Sequence, residues 1–221
     1  MLRYEQEFIA KGYSFIAGAD EAGRGPLAGP VAAAAVILPL GAEVGANTHN
    51  RHSGGLIEGI DDSKKLTEKR REELYERIIN AAIGYSCVMI EPQEIDKINI
   101  LNAALKAVRL AIERLKPAPQ ALITDFLPFK QPFLIPHQNL VKGDSLSYSA
   151  AAASIIAKVR RDRLMCEYAK QFPEYGFERH KGYGTKQHFK AIEKFGLTPI
   201  HRRSFCREAQ VLTPSAAPQS I

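Results

Sequence analysis

Residues 14–38, SFIAGADEAGRGPLAGPVAAAAVIL, decide how this chain folds. Residues 14–20 read as a short strand, GRGPLAGP as a turn, and residues 31–38 as a second, buried strand. No residue from Gly25 to Ala42 is charged, a run that approaches a membrane span in length. Pro26, Pro30 and Pro39, with Gly25, Gly29 and Gly41, break it. A turn followed by a buried strand fits that pattern, and a membrane helix does not. The first strand also ends on two adjacent carboxylates, Asp20 and Glu21, which a fold cannot bury without neutralising partners.

Outward from this stretch, strands and helices alternate. A helix is expected from about Thr67, with Leu74, Ile78 and Ala81 on one stripe and Ser63 or Thr67 as its N-cap. Residues 84–90 read as a strand. Residues 99–115 read as an amphipathic helix, with Leu101, Leu105, Val108, Ile112 and Leu115 on one face. Residues 121–125 (ALITD) form a strand that finishes on Asp125, and a short strand is expected over 139–142. A long helix follows over 147–171, then shorter helical stretches over 186–195 and 204–211, and a tail with nothing to pack. This order predicts an α/β fold with a mixed sheet flanked by helices. Residues 41–59, rich in Gly, Asn, His and Ser, read as a surface loop.

The chain has 221 residues, 45% hydrophobic and 24% charged, which excludes bulk disorder and makes a fusion of two enzymes improbable on length. The net charge of +6 is unevenly spread. Residues 158–203 hold twelve basic and five acidic side chains, whereas the rest of the chain has 18 basic and 19 acidic groups. Such a stretch suits a polyanion, although a solvated helix face would also account for it. Cys87, Cys166 and Cys206 form no CxxC pair, and MLRYEQEF has no apolar leader region, so a reduced, cytoplasmic protein is expected. The histidines show no paired ligand spacing and are expected on the surface or in loops.

Three elements deliver carboxylates near strand ends: Asp20 and Glu21, Asp125, and Asp144 after VKG. Ligand sites of α/β sheets lie at such ends, and two divalent cations with hard oxygen ligands, Mg²⁺ or Mn²⁺, would balance four carboxylates. Arg24 offers a simpler alternative as a local ion-pair partner. Neighbouring strand residues point to opposite faces, so Asp20 and Glu21 share a site only if the strand ends or kinks there, as Gly23 and Gly25 would permit. The segment resembles a P-loop without its Lys-Ser/Thr, and a dinucleotide fingerprint without the required helix, so both readings fail. Asp61-Asp-Ser-Lys64-Lys65-Leu is expected to open a helix where lysines and backbone N–H groups could meet a phosphate. Tyr183, between two glycines and among cations, could lie flat on a sugar or base, or simply cap the core. On the long helix, Lys158 and Asp162 stand at i, i+4, and Lys158 and Arg161 lie on the same side as Met165.

The blocks ADEAGRGPLAGPV, DDSKKL, VKGDS, SAAAASIIAKVRRD, FPEYGFERHKGYGT and HRRSF, with the Asp125 strand end, closely resemble ribonuclease HII, the bacterial type 2 ribonuclease H. The resemblance spans roughly residues 15–205. It implies a ribonuclease H-like catalytic core over 1–145. A helical part over 146–211 would complete that core and form the basic extension, and 212–221 would be a flexible tail. It implies a two-ion site on Asp20, Glu21, Asp125 and Asp144. Gly23-Arg24-Gly25 would read the ribose 2′-hydroxyl at an RNA-to-DNA junction, and Tyr183 would pack on the next deoxyribose. Lys64, Lys65, Lys158 and Arg161 match basic positions expected to touch phosphates. The chain departs from the family in having Phe126 where Gly usually follows the third carboxylate, and in a longer 41–59 loop.

The resulting expectation is a monomeric, cytoplasmic endonuclease with Mg²⁺ or Mn²⁺ as cofactor. It would hydrolyse the RNA strand of RNA–DNA hybrids and incise 5′ of ribonucleotides embedded in duplex DNA, leaving 3′-OH and 5′-phosphate, as in ribonucleotide excision repair. A catalytically silent nucleic-acid-binding module using the same basic groove is the alternative from another class.

Overall fold

The computed structural model describes residues 1–40 and 56–206; most of the 41–59 loop, the end of the 204–211 stretch and the 212–221 tail fall outside them. Among the described residues, five strands form one mixed sheet in the order β3–β2–β1–β4–β5. At its centre β1 (Ile16–Ala22) runs antiparallel to β2 (Val31–Ile37) and parallel to β4 (Ala121–Asp125). The edges are β3 (Gly84–Ile90), antiparallel to β2, and β5 (His137–Leu140), parallel to β4. Every residue of β2 is buried, as an unbroken apolar strand covered on both faces must be.

The strand's alternation divides the core into two layers. Val31, Ala33, Ala35 and Ile37 join Ala17 and Ala19 against α4 (Ile100–Glu113), which presents Ala103, Ala104, Ala107, Val108 and Ala111. Ala34 and Val36 face the opposite layer, where α2 (Glu68–Ala81) and α6 (Tyr148–Gln171) contribute Leu74, Ile78, Ala152, Ile155 and Ile156. These layers are thin because their side chains are small. A Cβ on Gly18 would lie 2.0 Å from the Ser149 carbonyl carbon, so the first turn of α6 rests directly on the β1 backbone.

The start of α6 is fixed twice. Ser147 Oγ accepts from the Ala150 N–H, and the buried Glu5 of α1 (Arg3–Ile9) accepts from the Ser149 N–H at 2.9 Å and from Ser147 Oγ at 2.6 Å. A carboxylate is favoured there because the helix N-terminus carries partial positive charge. In α2 the cap is Thr67, whose hydroxyl accepts from the Arg70 N–H. Residues 61–66 therefore form a turn before the helix, not its first turn as expected from the DDSKKL block.

Beyond α6 the chain folds back as α7 (Phe177–His180) and α8 (Lys186–Phe195), with a short 3₁₀ turn at Arg203–Phe205. Its small core contains Ala28, Met165, Tyr175, Phe177, Ile192 and Ile200. His180, His188 and His201 are also buried, contrary to the expectation of surface positions. The His180 and His188 rings stack with centroids 4.5 Å apart, and His188 Nε2 lies 3.0 Å from His201 Nε2. Burial, with repulsion by His180 on His188 and by His188 and His180 on His201, pushes both His188 and His201 down to about 4, so they remain neutral packing groups at pH 7. Among the described residues no helix is long and apolar enough to cross a membrane.

Gly18→Ala is expected to destabilise the protein by about 1–3 kcal/mol, because the added methyl meets backbone that cannot rotate away. Urea unfolding beside Gly25→Ala, whose new methyl would meet only Tyr183 Cε1 at 3.7 Å, checks it. Equal stability of the two variants would contradict the close β1–α6 contact.

Candidate active site

At the carboxyl ends of the central strands the sheet opens into a cavity of about 340 Å³ lined by Asp20, Glu21, Gly23–Gly25, Ser63, Lys64, Asp125, Lys158 and Tyr183. The expected strand ending at Asp20 and Glu21 occurs on one side only. Pairing with β4 stops at Ala19, whereas pairing with β2 continues through Asp20↔Ala34 and Glu21↔Ala33 to Ala22↔Ala32. Asp20 Oδ1 turns back onto the Glu21 N–H at 2.7 Å, and both carboxylates line the same cavity.

Asp125 ends β4 and accepts from the Gly143 N–H at 2.7 Å, which ties the following helical turn α5 (Gly143–Leu146) to the strand. That tie needs glycine, because a Cβ at residue 143 would lie 2.9 Å from the Asp125 Cα. It also delivers Asp144, which is 3% exposed, within reach of Lys64 Nζ at 2.9 Å. Phe126 points outward, 52% exposed, and its backbone is not left-handed, so replacing the usual glycine strains nothing there.

The site is short of positive charge. Burial, then the Glu21 and Asp125 carboxylates and more weakly Asp144, push the Asp20 pKa well above the usual carboxylate range. Burial also raises Glu21, although Arg24 Nη1 pairs with its Oε1 at 3.2 Å. The other oxygen, Glu21 Oε2, is buried without a hydrogen-bond partner. Burial works against the Lys64 ammonium, but Asp144, Asp62 and Asp20 outweigh it and hold the ammonium more firmly protonated than usual. Among the described residues no three carboxylate, imidazole or thiol groups stand close enough together to hold a metal ion as they are placed. The donors nevertheless suit hard divalent ions: all are carboxylate oxygens, one lacks any partner, and the buried negative charge exceeds what Arg24 and Lys64 supply.

The other expected contact residues separate into three groups. Gly23, Arg24, Gly25, Lys64, Lys158 and Tyr183 line the cavity. Tyr183 is 44% exposed, and left-handed Lys181 and Gly182 present it opposite Gly25. Lys158 Nζ stands 5.9 Å from the Tyr183 ring centre and pairs with Asp162 at 2.8 Å, the i, i+4 pair read from the helix. Lys65 is not in the lining and pairs with Asp61 at 3.1 Å. Arg161 corrects the expectation outright: it is wholly buried and donates to the carbonyls of Ala28, Pro30 and Lys181, so it cannot touch a phosphate. Sequence reasoning missed Ser63 in the cavity wall and Arg202 beneath it, although both lie in the DDSKKL and HRRSF blocks.

Known proteins agree with this architecture. Residues 17–208 match the family model for ribonuclease HII. The curated Ribonuclease HII of Acetivibrio thermocellus is 52% identical over 207 residues, covering 94% of this chain and 75% of that one. Among solved structures, the ribonuclease H2 of Pyrococcus horikoshii OT3 superposes with a TM-score of 0.67 at 26% identity, covering 89% of this chain and 97% of that chain. Bst-RNase HIII in complex with Mn²⁺ shares the fold, with a TM-score of 0.62 at 18% identity over 90% of this chain and 70% of that chain. A ribonuclease H-like mixed sheet, acidic strand ends and a sequence match over most of its length lead to one conclusion: the chain belongs to the ribonuclease HII family and is a divalent-metal-dependent endonuclease acting on RNA–DNA hybrids.

Proposed function

We propose that this enzyme incises the phosphodiester on the 5′ side of ribonucleotides embedded in duplex DNA, in addition to cleaving the RNA strand of hybrids, and leaves 3′-OH and 5′-phosphate ends. The supporting observation is the meeting of Asp20, Glu21 and Asp125, with Asp144 behind Lys64, at a cavity that the Gly23–Gly25 turn and Tyr183 also line. Asp20, Glu21, Asp125 and Asp144 would hold two Mg²⁺ or Mn²⁺ ions, which when bound supply an acidified water and charge stabilisation for the leaving oxygen. The Mn²⁺ held by Bst-RNase HIII is consistent with that choice of ion.

The chain's own groups bind and orient. Lys64, now neutralising Asp144, is placed to exchange that carboxylate for a phosphate oxygen. Lys158 is placed to do the same from Asp162. Backbone amides of the 23–25 turn read the ribose 2′-hydroxyl, the one group that separates RNA from DNA at a nucleotide. Tyr183 offers its exposed ring to the deoxyribose that follows. The reading extends to a cytoplasmic monomer working in ribonucleotide excision repair, a setting consistent with three unpaired cysteines.

A labelled duplex with one ribonucleotide, incubated with Mg²⁺, with Mn²⁺ or with chelator, tests the activity. A single cut on the 5′ side with either ion, and none with chelator, is expected; no product with either ion would overturn the reading.

Asp20→Asn carries a paired expectation. Cleavage is lost, while the metal-free protein becomes more stable by about 1–2 kcal/mol, because a repelled and desolvated charge has been removed. The sign follows from the raised folded-state pKa. The Asp20 carboxylate costs stability at neutral pH, and that cost fades as pH falls through the folded pKa toward the unfolded value. Thermal melts in chelator from neutral pH to about pH 4 should show wild type gaining on the variant as pH falls; a variant less stable at pH 7 contradicts the electrostatics.

Tyr183→Ala should reduce kcat/KM on single-ribonucleotide duplexes by roughly ten- to hundredfold, the scale of one lost ring stack. The loss on continuous hybrids should be smaller. Parallel rate measurements decide it, and equal losses on both substrates would remove Tyr183 from junction selection.

A further inference from the structure

Two wholly buried guanidinium groups lie beneath the 23–30 turn. Arg202 donates from Nη2 to the Gly23 carbonyl at 2.6 Å, from Nη1 to Arg24 at 2.8 Å and from Nε to Gly29 at 2.9 Å. Arg161 donates from Nε to Pro30 at 2.9 Å, from Nη1 to Lys181 at 2.9 Å and from Nη2 to Ala28 at 3.0 Å. All six acceptors are peptide carbonyls. A buried cation held only by neutral groups is costly. Burial and the neighbouring Arg161 charge lower the Arg202 pKa to about 9, which still leaves it protonated at neutral pH.

The geometry of the peptide group says what these contacts do to the turn. Each peptide is planar and trans, so a carbonyl drawn inward sends the N–H of the next residue the other way. Arg202 pulls the Gly23 and Arg24 carbonyls inward and thereby directs the Arg24 and Gly25 N–H groups away from itself, toward the side on which both residues line the cavity. Gly23 permits the arrangement by having no Cβ, which would lie 2.1 Å from Arg161 Nε. The same plate sets the opposite rim. Arg161 holds the Lys181 carbonyl and Leu27 N–H bonds Gly182 O at 2.8 Å, both next to Tyr183.

We infer that Arg202 and Arg161 are positioning residues for ribose recognition, aiming the Arg24 and Gly25 amides at the 2′-hydroxyl and fixing Tyr183 across from them. The inference rests on the proposed reading of the ribose by the 23–25 turn. Neither arginine touches substrate, and both act through backbone.

The test compares wild type with Arg202→Lys, which keeps the charge and loses the fork. In Mn²⁺, kcat and KM are measured on a one-ribonucleotide duplex, and the matched all-DNA duplex is titrated as a competitive inhibitor. Thermal melts confirm folding. A fall in kcat/KM of roughly ten- to hundredfold with the all-DNA inhibition constant within about twofold is expected, as befits lost aim rather than lost phosphate binding. Retention of kcat/KM within about twofold, or equal weakening of both duplexes, would overturn the positioning role. If wild type does not prefer the ribonucleotide duplex over all-DNA, ribose reading by the turn fails instead, which separates the two failures. Should Arg202→Lys not fold, Arg161→Lys carries the same comparison. In wild type, ¹⁵N–¹H spectra give a measurement that needs no variant. The Arg24 and Gly25 amide resonances should shift with the ribonucleotide duplex beyond their shift with all-DNA, and equal shifts would overturn the inference.

Discussion

Mutual repulsion among Asp20, Glu21, Asp125 and Asp144 is the constraint that the rest of the structure answers. Two like charges about 4 Å apart at an effective dielectric near 20 repel by roughly 4 kcal/mol, a sizeable part of a domain's whole stability. Left to themselves the carboxylates would spread apart or draw in water. They stay together because each is attached to something that does not move. Asp20 and Glu21 lie on the central strand, Asp125 ends its parallel neighbour, and the Asp125–Gly143 hydrogen bond ties Asp144 to that same strand end. Arg24 and Lys64 offset part of the charge from exposed positions.

Rigidity of that kind comes from close packing of small residues. The alanines of β2 and α4, and Gly18 beneath Ser149, let two helix layers approach the sheet so closely that neither face has freedom to shift. The first turn of α6 rests on β1 beside the acidic residues, and seventeen residues after its start the same helix places Met165 in the small core that supports the Tyr183 turn. One helix thus connects the carboxylate side of the cavity with its Tyr183 side. The separation between them is set by helix geometry and not by loops.

Much of this was legible in the residues, and the reasons for the rest are physical. The apolar run at 31–38, the periodicity of 99–115 and the strand ending on Asp125 are long enough for period to show. Helices α5 and α7 have four residues each, too few for any period, and α3 (Pro92–Ile98) has seven. The histidines misled because their burial depends on one another: His188 is satisfied by His201 and by the Tyr183 carbonyl, partners distant or invisible in a linear reading. Arg161 is different, since the signal was present. It lies four residues after Ala157 and four before Met165, both fully buried, so helical geometry placed it inside even though its charge suggested a phosphate. Asp144 was legible as a carboxylate shortly after a strand, but the helical turn that carries it, α5, is too short to have a pattern of its own.

The choice of arginine at 161 and 202 follows from what a buried plate under a turn has to do. Three carbonyls must be gripped from one side, in fixed relative directions, without a carboxylate that would add to the negative charge already crowding the cavity. A lysine ammonium could donate three hydrogen bonds, but it is a compact point charge on a flexible stem that loses its proton readily when buried. A guanidinium is flat and keeps its charge, and its N–H groups diverge at set angles, so the carbonyls it holds are oriented as well as satisfied. Placing that positive charge below the turn and the carboxylates beside it polarises the intervening peptides in one sense. Their N–H ends are left toward the cavity. In the function proposed above, recognition of the sugar and tolerance of the phosphate charge would share one cause, and neither would require a side chain to touch the base.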